Sequence, residues 1–149
     1  MKIKIYLLIV ILLTACQPAI PESITGVLGT EITLTPYQTV IIEDAGMSIR
    51  LIGVEGDERC PSEIECTMSG PVSLTLSVQK DSGTPVDLDL QTFTSNNGRS
   101  PEGQFEGIKS RIEYEGYIIR ITSVLPYPAR KLNEIKDSQY RVSFFVTRK

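Results

Sequence analysis

The residues with the clearest chemical potential are two cysteines, Cys60 and Cys66, in the segment GDERCPSEIECTMSG at positions 56–70. Five residues separate them, and carboxylates surround them. Thiols at this spacing could ligate a metal, form a redox or nucleophilic centre, or close a disulfide bond. Because thiols are oxidised outside the cytoplasm and kept reduced inside it, the choice depends on where the chain resides.

The N-terminus has the form of an export signal. Two lysines, Lys2 and Lys4, precede an apolar run over residues 5–13. The run is too short to span a bilayer, which needs about 20 residues, but fits a secretory signal peptide. The next four residues, LTAC, resemble a bacterial lipobox. The resemblance implies attachment of diacylglycerol, whose acyl chains include palmitate, to the Cys16 thiol, and cleavage between Ala15 and Cys16. We therefore expect a lipoprotein, with a soluble exported protein or an uncleaved N-terminal anchor as the alternatives.

The residue after the lipobox cysteine bears on the location. It is Gln17 and not aspartate, so the inner-membrane retention signal of Gram-negative lipoproteins is absent. The predicted location is the cell envelope, on the outer membrane if the host has one and otherwise on the outer face of the plasma membrane.

Export favours the disulfide for the two remaining cysteines. A zinc site needs about four nitrogen or sulfur ligands, whereas the chain has no histidine. A thiol nucleophile would need a base of the histidine type, and the spacing is not the C-x-x-C of a thioredoxin-like centre. We predict a Cys60–Cys66 bond that clamps a turn between two strands.

The same segment resembles a group of small bacterial exported proteins and lipoproteins without an assigned activity. They share a D-x-R-C-P…C-x-x-x-G hairpin and, late in the chain, a V-x-P-Y-P turn; Met68 departs from the aromatic residue that the group often carries. The resemblance implies a fold and an address, and a structural role for Asp57, Arg59, Pro61, Gly70, Pro126, Tyr127 and Pro128. We expect Asp57 to pair with Arg59, whose donors can also bond free carbonyls.

The acidic residues around the cysteines raise the question of calcium, which takes 6–8 oxygen ligands. Their spacing fits no calcium loop, so the run favours a solvated acidic rim, and we expect neither a metal nor another cofactor. This run comprises Glu55, Asp57, Glu58, Glu63 and Glu65.

Strands are indicated by apolar residues that alternate with polar ones. In PVSLTLSVQ, VDLDLQT and YRVSFFV one face is apolar, and shorter patterns of the same kind occur elsewhere. The prediction is an all-β fold of seven or eight strands, an antiparallel sandwich or a partly closed barrel. The additional strands are expected at Glu31–Leu34, Thr39–Ile42, Met47–Val54, Ile108–Glu115 and Tyr117–Leu125.

The chain divides into three expected parts. Residues 1–15 form the signal peptide, residues 16–29 a flexible tether containing two prolines, and residues 30–149 one β-domain. Within the domain, IRLIGV (49–54) echoes IRITSV (119–124), which suggests equivalent positions in a sheet.

Charge and composition favour binding over catalysis. Loss of the signal peptide's two lysines would take the formal charge from −3 to −5, which argues against nucleic acid and anionic lipid as partners. We expect a non-catalytic, monomeric, lipid-anchored domain that binds an envelope or extracellular partner or has a structural role there. The alternatives are a hydrolase with paired carboxylates and a carbohydrate-binding module, although the chain has no tryptophan for sugar stacking.

Overall fold

The computed structural model describes residues 21–131 and 134–149, which form two β-sheets packed face to face. The first sheet has the strand order β1-β3-β4-β5-β6 and the second the order β2-β9-β8-β7. The strands are β1 (Ile24–Thr25), β2 (Glu31–Leu34), β3 (Thr39–Ile42), β4 (Met47–Asp57), β5 (Val72–Lys80), β6 (Val86–Thr92), β7 (Arg111–Tyr114), β8 (Tyr117–Leu125) and β9 (Arg141–Arg148). The sheets do not close into a barrel, so the predicted sandwich is confirmed.

The core lies between the sheets and follows from the period of two. Successive side chains in a strand point to opposite faces, and the apolar set of β5 and that of β9 are both buried. The fully buried side chains come from both sheets and include Leu34, Ile49, Leu51, Leu74, Leu76, Leu90, Ile119, Ile121, Val142 and Phe144.

Strand β1 corrects the expected tether of residues 16–29. Ile24 and Thr25 pair in parallel with β3, the one parallel pair among the described strands, and Gly29 N–H donates to the Val146 carbonyl at 2.8 Å. Residues 24–29 therefore belong to the sandwich. The eight residue steps from Cys16 to Ile24 span at most about 29 Å when fully extended.

The edge strand β6 departs in part from its predicted pattern. Leu90 is buried as expected, but Leu88 is half-buried and Val86 is 42% exposed. These two side chains are less buried because β7, the edge strand of the second sheet, has only four residues and covers less of β6.

The two echoing segments occupy equivalent positions. IRLIGV lies in β4 and IRITSV in β8, each an interior strand of its sheet. The register shifts at the same point of both patterns, between Leu51 and Gly53 and between Ile121 and Ser123. Such shifts mark β-bulges, which bend a strand and increase its twist.

The predicted signal peptide and lipobox lie outside the described residues, as does Cys16 itself. Within the described part of the chain there is no helix of the length and apolarity needed to cross a bilayer.

Candidate functional site

A buried ion pair stands where β4 ends. Asp57 is the last residue of β4, which runs three residues beyond its predicted end. Arg59 Nε donates to Asp57 Oδ1 at 2.7 Å and Arg59 Nη2 donates to Asp57 Oδ2 at 2.5 Å, so the pair is bidentate. The arginine is fully buried, and side chains of this type are seldom buried without such a partner.

The remaining donors of Arg59 reach the other sheet. Nη1 donates to the Val124 carbonyl at 2.8 Å, and Nη2 donates to the Pro126 carbonyl at 2.9 Å, both at the end of β8. Nη1 also donates to Thr94 Oγ1 at 3.3 Å. A guanidinium has five N–H donors, and all five have acceptors here. Arg59 thus joins the end of β4 to the end of β8.

Two tyrosines complete this cluster of Asp57, Arg59, Tyr127 and Tyr140, which we call the arginine clasp. The Tyr127 ring centroid lies 5.0 Å from Arg59 Cζ, within cation–π range, and its hydroxyl donates to the Cys60 carbonyl at 2.8 Å. The Tyr140 hydroxyl donates to Asp57 Oδ2 at 3.0 Å. Burial raises the pKa of Tyr140 above its usual range, and the negative charge of Asp57 adds to the effect.

The cysteine loop rests on the turn that follows β8. Cys60 and Cys66 form the predicted disulfide, with Cα atoms 6.0 Å apart. Ser62 N–H donates to the Pro128 carbonyl at 3.0 Å, and Glu63 N–H donates to the Ala129 carbonyl at 2.9 Å. The two sequence motifs, far apart in the chain, are therefore in direct contact, and Leu125–Pro126 is a cis peptide within the second.

Gly70 closes the hairpin by close approach of the backbone. Its N–H donates to the Glu58 carbonyl at 2.8 Å. A Cβ at this position would lie 2.5 Å from Glu58 Cβ and 2.8 Å from the Glu58 carbonyl oxygen, closer than such atoms pack. Only glycine fits here without a shift of the loop.

Reduction of the disulfide should lower the free energy of unfolding by about 2–3 kcal/mol, because the bond closes a short loop in the unfolded chain. The strands should remain assembled, since the core lies between the sheets and away from the loop. Denaturant titration of the oxidised protein and of the Cys60→Ser/Cys66→Ser variant measures the difference. Two free thiols in the unreduced, denatured Cys16→Ala protein would contradict the bond.

Substitution Tyr140→Phe should cost about 1.5–3 kcal/mol at neutral pH, the range for a hydrogen bond to a charged group. A second effect depends on pH. The raised pKa means that Tyr140 stays protonated in the folded protein while the unfolded chain ionises near pH 10. Its contribution is complete below pH 10 and is lost as the pH rises further. Urea titrations between pH 8 and 11 should therefore show a steeper loss for the wild type than for the variant; parallel curves would contradict this.

The clasp has a structural role. Each hydrogen-bond donor of Arg59 is used inside the protein, and no buried side-chain nitrogen or oxygen of the described residues lacks a partner. The sequence motifs indicated the other members of this cluster but not Tyr140 or Thr94. The hydrogen bond of Tyr140 to Asp57 was not foreseen, because the position of Tyr140 in an alternating apolar pattern was already sufficient to explain its burial.

The acidic rim is smaller than predicted. Glu55, Glu58, Glu63 and Glu65 are exposed, but Asp57 turns inward to Arg59. Within residues 21–131 and 134–149, no three acidic, histidine or cysteine side chains are grouped as a metal site would require.

A polar groove of about 580 Å³ crosses the outer face of the five-stranded sheet. Its floor consists of two cross-strand pairs, Thr75–Asp89 and Ser73–Gln91. Thr75 Oγ1 donates to Asp89 Oδ1 at 2.9 Å, and Gln91 Nε2 donates to Ser73 Oγ at 3.0 Å. These bonds hold the floor side chains in place, and Asp89 Oδ2 accepts no hydrogen bond from another described residue.

Two exposed charged residues flank this floor. Glu55, beside a register shift in β4, lies at one side, and Lys109, from the loop before β7, lies at the other. Neither side chain has a hydrogen bond to another described residue, so both are available to a ligand. The groove offers mainly acceptors and is open to solvent, and none of the residues that line it is aromatic.

The chain matches no protein-family model, no curated protein and no solved structure. The resemblance to small exported bacterial proteins therefore remains a prediction from the two motifs.

Proposed function

We propose that the protein is a lipid-anchored, extracytoplasmic β-domain that binds a partner without catalysis. The observation that carries this proposal is the groove on the first sheet, where hydrogen bonds between neighbouring strands hold the polar floor in place and the charged side chains of Glu55, Asp89 and Lys109 are exposed. The export signal and lipobox at the N-terminus support the location, and the clasp supplies the rigid frame.

The hydrolase is the second candidate, because Glu55 and Asp89 line the same groove. A carboxylic acid that protonates a leaving group is usually kept protonated by an apolar environment. Both carboxylates are instead exposed, and Asp89 accepts a hydrogen bond from Thr75. This arrangement favours binding.

The carbohydrate-binding module receives less support. Modules of this kind use exposed aromatic rings as stacking platforms, and the residues lining the groove include none. A ligand held here would have to be recognised by hydrogen bonds and charge.

Site-specific photo-cross-linking in living cells tests the binding role. Benzoylphenylalanine in place of Lys109 reports on the groove, and the same residue in place of Thr147, exposed on β9 of the other sheet, is the matched control. We expect a discrete adduct at position 109 and none at position 147. Absence of an adduct at 109, or equal labelling at both sites, would contradict the proposal.

A further inference from the structure

The outer edge of β6 is an unused hydrogen-bonding surface. The N–H of Gln91 points away from β5, because it donates to the Lys109 carbonyl at 3.0 Å. Backbone groups alternate in direction along an antiparallel strand, and β5 and β6 pair without a register shift. The N–H and C=O groups of Asp87 and Asp89 therefore also point outward.

In the described part of the chain, no other strand pairs with this edge at Asp87 or Asp89. No backbone or side-chain group of residues 21–131 and 134–149 bonds to the outward groups of Asp87 or Asp89, and both residues are exposed. The loop that carries Lys109 continues the sheet only at Gln91. An open edge of this kind is a template for another strand, which proteins usually cover or protect with charge.

The charges on the edge define what can occupy it. The side chains of Asp87 and Asp89 both project from the outer face, on either side of Leu88. A second copy of β6 paired antiparallel about Leu88 would bring Asp87 opposite Asp89 of that copy, and like charges in direct opposition are destabilising. The edge therefore disfavours pairing with a second copy of β6 and favours a strand that carries positive charge.

We propose that the free edge of β6 accepts an extended basic segment of a partner protein by antiparallel strand addition. Two basic residues of that segment lie opposite Asp87 and Asp89, and the apolar residue between them packs beside Leu88, whose side chain is half-buried. The partner thus carries a basic–apolar–basic pattern. Main-chain bonds provide affinity and the alternate side chains provide specificity.

This inference rests on the proposed binding function and names its partner class. The position of the edge is consistent with the anchor, because β1, next to the expected lipid attachment, is the opposite edge of the same sheet. Four strand spacings of about 4.8 Å place β6 ~19 Å across the sheet from β1.

Peptide binding to the full chain in detergent micelles tests the proposal. The probe is a capped, fluorescent seven-residue peptide of alternating lysine and valine, and the control is its glutamate–valine counterpart. We expect fluorescence anisotropy to show binding of the lysine peptide at least about tenfold tighter, because each cross-strand pair changes from like to opposite charge. In the Asp87→Lys/Asp89→Lys variant the preference should reverse.

Backbone methylation separates strand addition from charge attraction alone. In the antiparallel arrangement the lysine N–H groups face β6 and the valine N–H groups face away. Methylation of the backbone nitrogens of the lysines should therefore abolish binding, whereas methylation of the backbone nitrogens of the valines should leave it unchanged. Equal binding of both methylated peptides, or no binding of the parent peptide, would overturn the proposal, as would self-association of the chain that the peptide disrupts.

The outcomes also distinguish this inference from the binding role itself. If the lysine peptide fails while the adduct at position 109 persists, strand addition is refuted and the binding function stands. If no adduct forms at position 109 in cells, the binding function is refuted regardless of the peptide result.

Discussion

Substitution Arg59→Met should lower the free energy of unfolding by about 3–5 kcal/mol, the range observed when one partner of a buried ion pair is removed. Methionine occupies a similar volume but donates no hydrogen bond. It leaves the Asp57 carboxylate buried without its cation, and it removes the donors that bond the Val124 and Pro126 carbonyls. Denaturant titration monitored by tyrosine fluorescence measures the loss.

The matched control is Arg130→Met. Arg130 also pairs with a carboxylate, since its Nε lies 3.1 Å from Glu63 Oε2, but both side chains are mostly exposed. Exposed pairs of this kind contribute little, so the control should unfold close to the wild type. A comparable loss of unfolding free energy in both variants would show that burial of the ion pair does not determine how much the clasp stabilises the fold.

The double variant Asp57→Leu/Arg59→Met tests the source of the loss. If the penalty in the single variant arises mainly from an uncompensated buried charge, removal of the second partner should recover part of it. The recovery should be incomplete, because Tyr140 loses its acceptor and the carbonyls at the end of β8 remain without their donor. A double variant as unstable as the single one would mean that the lost carbonyl contacts dominate, since these are missing in both variants.

The sandwich was predictable because alternation records which face of each strand is buried. The pattern in β5 and in β9 identified strand and core together, since a side-chain period of two has only one reading when one face is apolar. The predicted burial was wrong at the edge of the sandwich. Val86 continues the apolar pattern of β6 but is 42% exposed, since the neighbouring edge strand β7 has only four residues. Strand β1 was missed because two residues carry no periodicity.

The clasp was predictable only in part. The spacing of Asp57 and Arg59 indicated a local pair, and the pair is present. The contact of Arg59 with the end of β8 is a tertiary contact between residues more than sixty positions apart, and no local pattern encodes it. The groove was still less visible, because Thr75 and Asp89 look like ordinary solvent-facing residues until the register places them side by side.

The combination of a rigid frame and an open edge suggests how the domain is used. The clasp joins the ends of β4 and β8, two residues from Glu55 at the border of the groove, so the proposed binding face would need little ordering when a partner binds. Preorganisation of this kind reduces the entropy cost of association. The strand edge of β6 borders the same face, which places the groove and the proposed strand-addition site next to each other.

Substitution Cys16→Ala should transfer the protein almost completely from the membrane fraction to the soluble fraction. The expected anchor contains at least two acyl chains, each buried methylene contributes about 0.8 kcal/mol, and one chain alone gives only marginal binding. Loss of the acylated thiol removes all of this free energy at once. Ultracentrifugation of cell lysates, together with incorporation of labelled palmitate, provides the measurement.

The matched control is the Cys60→Ser/Cys66→Ser variant, which also loses thiols but keeps the lipobox. It should incorporate palmitate and sediment with membranes, because Cys60 and Cys66 bond only to each other in the wild type and lie outside the lipobox. Because eight residue steps join Cys16 to Ile24, Ile24 of the anchored domain should also stay within about 29 Å of the bilayer surface. If the Cys16→Ala protein still sediments with membranes and the wild type takes up no palmitate, the lipobox interpretation is wrong, and the protein is held at the envelope by other means.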